Sequence, residues 1–139
     1  SSDLGQMMRR EDIINYWRNS AEQDFATMMN LFNSRDYHWS LFLGHLVVEK
    51  LLKAVFIKNI GNENPPRTHD LLLLASKAEV VTDSKREDML DLITTFNIST
   101  RYPDYKLSFY KKCTESYTTE RISEIKELRL WLISVLESK

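Results

Sequence analysis

The chain has 139 residues, 42% hydrophobic and 28% charged, which predicts one folded domain with its own core and argues against disorder. With 19 basic and 20 acidic residues the formal net charge is -1 at pH 7, so overall charge draws the protein to neither nucleic acid nor membrane, and any RNA contact must be local. The single cysteine, Cys113, excludes an internal disulfide and a cysteine-based zinc site, and it favours a cytoplasmic location. No apolar run reaches the roughly 20 residues of a membrane span.

The first residues, about 1–9, are expected to be disordered or a cloning remnant, since the chain begins with Ser1 rather than Met. From about Arg10 to Asn33, apolar residues recur every three or four positions, which predicts an amphipathic helix. The residues of this stripe are Ile14, Trp17, Ala21, Phe25, Met28 and Phe32. Asp24 lies inside the stripe, so it either reaches water at the edge of the stripe or pairs with a cation across the bundle.

The next segment, residues 39–57, is apolar on almost every side of a helix, which predicts a buried central helix. The short polar turn at residues 33–36 makes this helix an antiparallel neighbour of the first. Three polar residues, His45, Glu49 and Lys53, fall at i, i+4 and i+8 and so lie on one line, which we call the polar ladder. The ladder is expected to form a buried structural network, a dimer face or a ligand site.

The second half of the chain has fewer sequence patterns that predict where helices begin and end. A short packed helix is expected from near Thr68, with Asp70 in its first turn, and the capping-box pattern Ser84-Lys-Arg-Glu87 predicts the start of another helix. Pro103 is expected to break any helix, so the segment from Arg101 to Tyr117 is predicted to be the longest irregular stretch.

A final apolar stripe predicts a last helix, capped by Thr118 or Thr119. No useful length of sequence shows the alternation of a strand. The chain is therefore predicted to be all-α, an up-and-down helical bundle of about five helices that forms one domain over residues 1–139.

Aromatic residues alternate with basic ones from Arg101 onward. The aromatic members are Tyr102, Tyr105, Phe109 and Tyr110, and the lysines are Lys106, Lys111 and Lys112. This mixture is suited to contact with phosphates and bases. Alternatively, Arg101 pairs with a carboxylate such as Asp24 or Glu49, and the aromatic side chains cover the core.

The three histidines lie in separate segments without the i,i+4 spacing of helix-borne ligands, so neither a metal site nor a cofactor is predicted. His69 either hydrogen-bonds its own loop or contacts a nucleotide or RNA.

Several stretches, in this order, resemble the HEPN domain family. They are an early helix with an Asp in its apolar stripe, then W…HLVVEKLLKAVF, PPRTHDLLLL and TRYPDY before a last helix, and together they span residues 12–136. The resemblance implies a small HEPN-like helical bundle that usually forms a homodimer. It also implies one of two roles: a metal-independent ribonuclease, often a toxin, or a non-catalytic module that binds substrate beside a minimal nucleotidyltransferase, as in toxin–antitoxin systems.

Catalytic members of this family carry an Arg followed by a His after four to six intervening residues. Arg101 matches the Arg, but Lys106, Leu107 and Ser108 stand where the His is expected. This gap matters because metal-free RNA cleavage requires a base for the 2′-hydroxyl proton as well as donors for the charge on the phosphorane.

The sequence therefore predicts a non-catalytic HEPN module that binds nucleotide, pairs with a nucleotidyltransferase, or does both. The predicted ligand-binding residues are Lys53, His69, Arg101 and Tyr102, and the residues assigned to a structural network or dimer face are Asp24, His45 and Glu49. The alternative is a divergent metal-independent ribonuclease in which Arg101 acts with a His from another element.

Overall fold

The computed structural model describes residues 2–139, apart from the side chain of Ser2, and this part of the chain forms six helices and no strand. The helices are α1 (Ser2–Asn33), α2 (Tyr37–Ile60), α3 (Leu71–Lys77), α4 (Ser84–Arg101), α5 (Pro103–Lys112) and α6 (Glu115–Glu137). The all-α prediction is confirmed, and the predicted count of about five helices is too low. Within residues 2–139 no helix combines the length and the apolar character needed to cross a membrane.

Helix α1 begins at Ser2, not near Arg10, so residues 2–9 lie within the helix; the expectation that they are a cloning remnant stays a prediction. Ser1 lies outside the described residues. The apolar stripe that starts at Ile14 packs on the core, whereas most residues before it are exposed. The stripe therefore marks where α1 meets the bundle and not where the helix starts.

Helix α2 lies at the centre of the bundle and packs against all five other helices. Its apolar side chains are buried on every side, including Leu41, Val47, Val48, Leu51 and Val55. Each such side chain favours folding by about 1.5–3 kcal/mol, because its apolar surface is removed from water. The predicted buried central helix is confirmed. It ends at Gly61, whose φ of 81° is left-handed and whose N–H donates to the carbonyl of Ile57.

Residues 103–112 form helix α5, where the sequence predicted an irregular stretch. Pro103 occupies the first turn of α5, where its missing N–H breaks no hydrogen bond. Tyr102 before it is extended, with φ -98° and ψ 127°, as the residue before a proline usually is. Pro103 thus ends α4 and at the same time begins α5, and the prediction of a long irregular stretch is wrong for this reason.

Besides α3, which begins at Leu71 with Asp70 as its N-cap and not in its first turn, two helix starts differ from the predicted ones. Asp83, not Ser84, caps α4 and accepts a hydrogen bond from the N–H of Arg86 at 2.8 Å. Thr114 caps α6 by accepting from the N–H of Tyr117, and Thr118 is buried inside the helix. In both places several capping residues follow one another, so the sequence alone does not select among them.

Gly44 allows α2 to approach its neighbours closely. A Cβ at this position would overlap Cδ1 of Ile125 on α6 and lie 3.2 Å from Sδ of Met28 on α1. Ile125 and Met28 have no exposed surface, so neither side chain can turn outward to make room.

We expect Gly44→Ala to lower the free energy of unfolding by about 1 kcal/mol, because overpacking costs roughly 1–3 kcal/mol and the better helix propensity of Ala offsets part of it. Urea denaturation measures the change. Ile125→Val removes the overlapping Cδ1, so it should stabilise the Gly44→Ala protein although it destabilises the wild type. A Gly44→Ala protein as stable as the wild type would contradict the close packing.

Candidate functional site

The polar ladder of α2 faces the loop between α2 and α3. Oε1 of Glu49 lies 2.6 Å from Nδ1 of His69, and Oε2 lies 3.3 Å from Nζ of Lys53. Because a carboxylate only accepts, the proton of the first hydrogen bond is on Nδ1 of His69. The side chain of Glu49 is 6% exposed, and a carboxylate that is buried to this degree requires such donors. Glu49 therefore holds the loop against α2.

His45 completes this connection from the same face of α2. Its Nε2 lies 2.8 Å from the backbone carbonyl of His69, so Nε2 carries a proton and donates it. Nδ1 is then an acceptor, and it has no hydrogen-bond partner within residues 2–139. Burial lowers the pKa of His45, and the charges of His69 and Arg101 lower it further, against opposing contributions from the His69 carbonyl and Glu49. His45 is thus held neutral, and both it and Glu49 have almost no surface in the single chain to offer a second subunit.

Lys53 and His69, the two predicted ligand-binding residues in this region, differ in whether their side chains are free to contact a ligand. Lys53 is mostly buried, with its ammonium bound to Glu49 and 5.2 Å from the centroid of the Trp17 ring. His69 has a side chain that is 55% exposed, and its Nε2 has no hydrogen-bond partner in the described part of the chain. His69 can therefore meet a ligand, whereas Lys53 is engaged by the protein itself.

Asp24 lies apart from this network. It forms an ion pair with Lys50, with Oδ2 and Nζ 2.6 Å apart, and Lys50 also donates to Oγ of Ser20. This contact joins α1 to α2. Lys50 was not among the residues predicted from the sequence, although its place on α2 opposite the apolar stripe of α1 indicates such a contact.

Arg101 stands at the end of α4, and neither Asp24 nor Glu49 pairs with it. Its Nε donates to Oδ1 of Asn97 at 2.8 Å, and its guanidinium lies 5.5 Å from the centroid of the Tyr102 ring. The charge of Arg101 makes a small contribution to the lowered pKa of His45. Asn97 was not among the residues predicted from the sequence, although it stands one helical turn before Arg101.

Tyr102 and the start of α5 follow Arg101 in the chain, and α5 contacts the beginning of α2. Tyr102 is 51% exposed, and Tyr110 is exposed as well. Nζ of Lys106 lies 5.0 Å from the centroid of the partly exposed Trp39 ring on α2. We call these residues together the basic–aromatic face: Trp39, Arg101, Tyr102, Lys106 and Tyr110.

The other aromatic residues of α5 lie elsewhere. Phe109 is the buried anchor of the helix and stacks on Phe96 of α4, with ring centroids 5.4 Å apart. Tyr105 lines a separate depression with Tyr117 of α6. The alternative in which the aromatic side chains cover the core thus describes Phe109 but not Tyr102, Tyr105 or Tyr110, which are exposed.

We expect Glu49→Gln to lower the free energy of unfolding by about 2–4 kcal/mol, because the neutral amide leaves Lys53 without its counter-ion in a mostly buried site. Chemical denaturation measures this loss. Glu137→Gln is the matched control, since Glu137 pairs with Arg18 at 2.7 Å on the surface and such pairs contribute about 1 kcal/mol or less. Equal losses in the two variants would show that Glu49 does not hold the network.

Comparison with known proteins identifies the family to which this chain belongs. The family model of the HEPN domain matches residues 14–136. No curated protein matches the sequence. Among solved structures, the fold is similar to the crystal structure of TT1696 from Thermus thermophilus, with a TM-score of 0.74 and 16% sequence identity, over 88% of this chain and 97% of that one. The family match covers nearly the whole chain and confirms the resemblance found in the sequence: this protein belongs to the HEPN domain family.

Proposed function

We propose that this protein is a non-catalytic HEPN module that binds nucleotides, in particular the nucleotide units of single-stranded RNA, through the basic–aromatic face. The observation that carries the proposal is the state of Arg101, which is exposed, has no carboxylate partner within residues 2–139 and lies beside the exposed ring of Tyr102. An unpaired guanidinium can bind a phosphate, and a neighbouring aromatic ring can stack on the attached base.

The surrounding charges favour an anionic ligand. Lys106 adds a second cation over Trp39, and the carboxylate of the polar ladder, Glu49, is already bound to Lys53 and His69. His69 exposes its free Nε2, which offers a further hydrogen-bonding atom for a nucleotide. A face of this kind attracts RNA locally even though the whole chain has a net charge of -1.

Two parts of the prediction from the sequence rest on the family resemblance alone. Homodimerisation and pairing with a minimal nucleotidyltransferase, within a toxin–antitoxin system, stay predictions, and the proposed binding of RNA requires neither.

We expect Arg101→Ala and Tyr102→Ala each to weaken binding of a fluorescent single-stranded RNA about 5- to 30-fold, because each removes a contact of roughly 1–2 kcal/mol. Fluorescence anisotropy measures the affinity. Arg101→Ala should also make the affinity less dependent on salt, since one phosphate contact is lost.

The matched controls are Arg9→Ala, which removes the same charge from α1, and Tyr105→Ala, which removes an exposed tyrosine from the other side of α5. Both should bind RNA like the wild type. If the control variants lose as much affinity as Arg101→Ala and Tyr102→Ala, binding depends on general charge and exposed aromatic surface, and the proposed site is wrong.

One observation favours a second function, that of a metal-independent ribonuclease. Glu49 orients His69 through Nδ1 and leaves Nε2 exposed, which is how a carboxylate positions an imidazole as a general base. His69 could thus supply, from another element, the base that is missing from the positions after Arg101. Arg101 would stabilise the charge on the phosphorane.

Incubation of a structured RNA with the protein in chelator separates the two functions. Under the binding proposal the RNA stays intact with the wild type and with every variant. Cleavage by the wild type that disappears in both His69→Ala and Arg101→Ala, but persists in Arg9→Ala, would establish the ribonuclease instead.

A further inference from the structure

A cavity of about 350 Å³ lies between the start of α2 and α5, and it shares Lys106 and Tyr110 with the basic–aromatic face. It is lined by His38, Pro103, Lys106, Leu107 and Tyr110. Its volume lies at the lower end of the range of about 300–1,000 Å³ that small-molecule sites occupy. The cavity is therefore large enough for one small ring system and not for an extended ligand.

The walls of the cavity are mostly apolar and include one exposed aromatic ring. Pro103 and Leu107 contribute aliphatic surface, and Tyr110 presents a phenol ring that is largely exposed. The rings of Tyr110 and His38 are nearly perpendicular, at 84°, with centroids 5.3 Å apart. Such walls favour a flat, uncharged ligand that can stack on one ring and meet the other at its edge.

Besides Lys106 and Tyr110, His38 is a polar residue of this cavity, and its side chain forms no hydrogen bond within residues 2–139. The residue is only 9% exposed, and its contacts in this part of the chain are ring contacts with Trp39 and Tyr110. The ring nitrogens of His38 are therefore free to form hydrogen bonds with a ligand in the cavity.

The charge state of His38 fits an uncharged ligand. Burial lowers its pKa and the charge of Lys106 lowers it further, while Asp36 opposes them. The imidazole is therefore neutral near pH 7 and has one N–H donor and one acceptor nitrogen. The edge of a nucleobase has donors and acceptors of the same kind.

We propose that this cavity is a base-selective subsite, in which a nucleobase packs against Tyr110 and forms a hydrogen bond with His38 while the attached phosphate lies near Lys106. The proposal rests on the nucleotide-binding function proposed above and deepens it, since it names the residue that discriminates among bases. Arg101 and Tyr102 would then bind the neighbouring nucleotide without regard to its base, because stacking and phosphate contacts are tolerant of sequence.

The test compares short homopolymeric RNAs of adenosine, cytidine and uridine, and an abasic RNA of equal length, on the wild type and on His38→Phe. Phenylalanine keeps a buried ring and removes both ring nitrogens. We expect the wild type to prefer one homopolymer by about tenfold, which corresponds to one base contact, and His38→Phe to remove that preference. The abasic RNA should bind equally to both proteins.

A second variant keeps the proposal testable if His38→Phe does not fold. Leu107 is exposed, so Leu107→Trp can fill the mouth of the cavity without disturbing the core, and Leu130→Trp on α6 is its matched control. Leu107→Trp should lose the base preference, and Leu130→Trp should keep it.

The outcomes separate this proposal from the proposed function. If Arg101→Ala weakens binding but the wild type shows no base preference, or His38→Phe and Leu107→Trp keep the preference, the subsite is wrong and the binding function stands. If no RNA binds to the wild type, both are wrong.

Discussion

The buried carboxylate of Glu49 is the interaction on which the position of the loop between α2 and α3, and with it His69, depends. It takes a hydrogen bond from His69 on the loop and pairs with Lys53 one turn further along α2, and His45 adds a bond to the backbone of the same loop. A charge in a helix that is otherwise apolar on every side is unfavourable unless donors surround it. The loop between α2 and α3 is therefore fixed against α2, and its fixed position leaves one edge of His69 exposed.

A second constraint acts through Pro103. A proline cannot continue α4, yet it is well suited to the first turn of a helix, so two helices meet at Tyr102 with a single extended residue between them. Arg101 is consequently the last residue of one helix, beside the exposed ring of Tyr102, and it pairs with neither Asp24 nor Glu49. The same junction directs Lys106 and Tyr110 toward the start of α2, where Trp39 and His38 lie. One backbone feature thus assembles the basic–aromatic face and the cavity next to it.

Much of the fold could be predicted because it follows from the pattern of apolar residues. The central position of α2, the end of that helix at Gly61 and the all-α class are all consequences of periodicity and of one glycine. Helix α5 could not be predicted in this way, since only Phe109 of its side chains is buried and Pro103 is equally compatible with the end or the start of a helix. The same ambiguity affected the caps of α4 and α6, where several candidate residues follow one another.

The candidate site was only partly accessible from the sequence. The spacing of His45, Glu49 and Lys53 indicated a polar line on α2, but not that His69 would close it, because that contact joins residues 20 positions apart through a loop of unknown course. The exposure of Arg101 and Tyr102 could likewise not be predicted from the sequence, since these residue types are found both in salt bridges and on ligand-binding surfaces. His38 carried no signal at all: its isolation from hydrogen-bond partners is a property of the folded structure.

The measurement that tests the central claim most directly is the titration of isotopically labelled protein with a short single-stranded RNA, followed residue by residue by NMR. If the basic–aromatic face binds RNA, the chemical-shift changes will saturate and will cluster at Arg101, Tyr102, Lys106 and Tyr110 and at the start of α2, with the exposed beginning of α1 unchanged. An absence of changes, or changes confined to another surface such as the cavity between α4 and α6 beside Arg86 and Trp131, would contradict this claim.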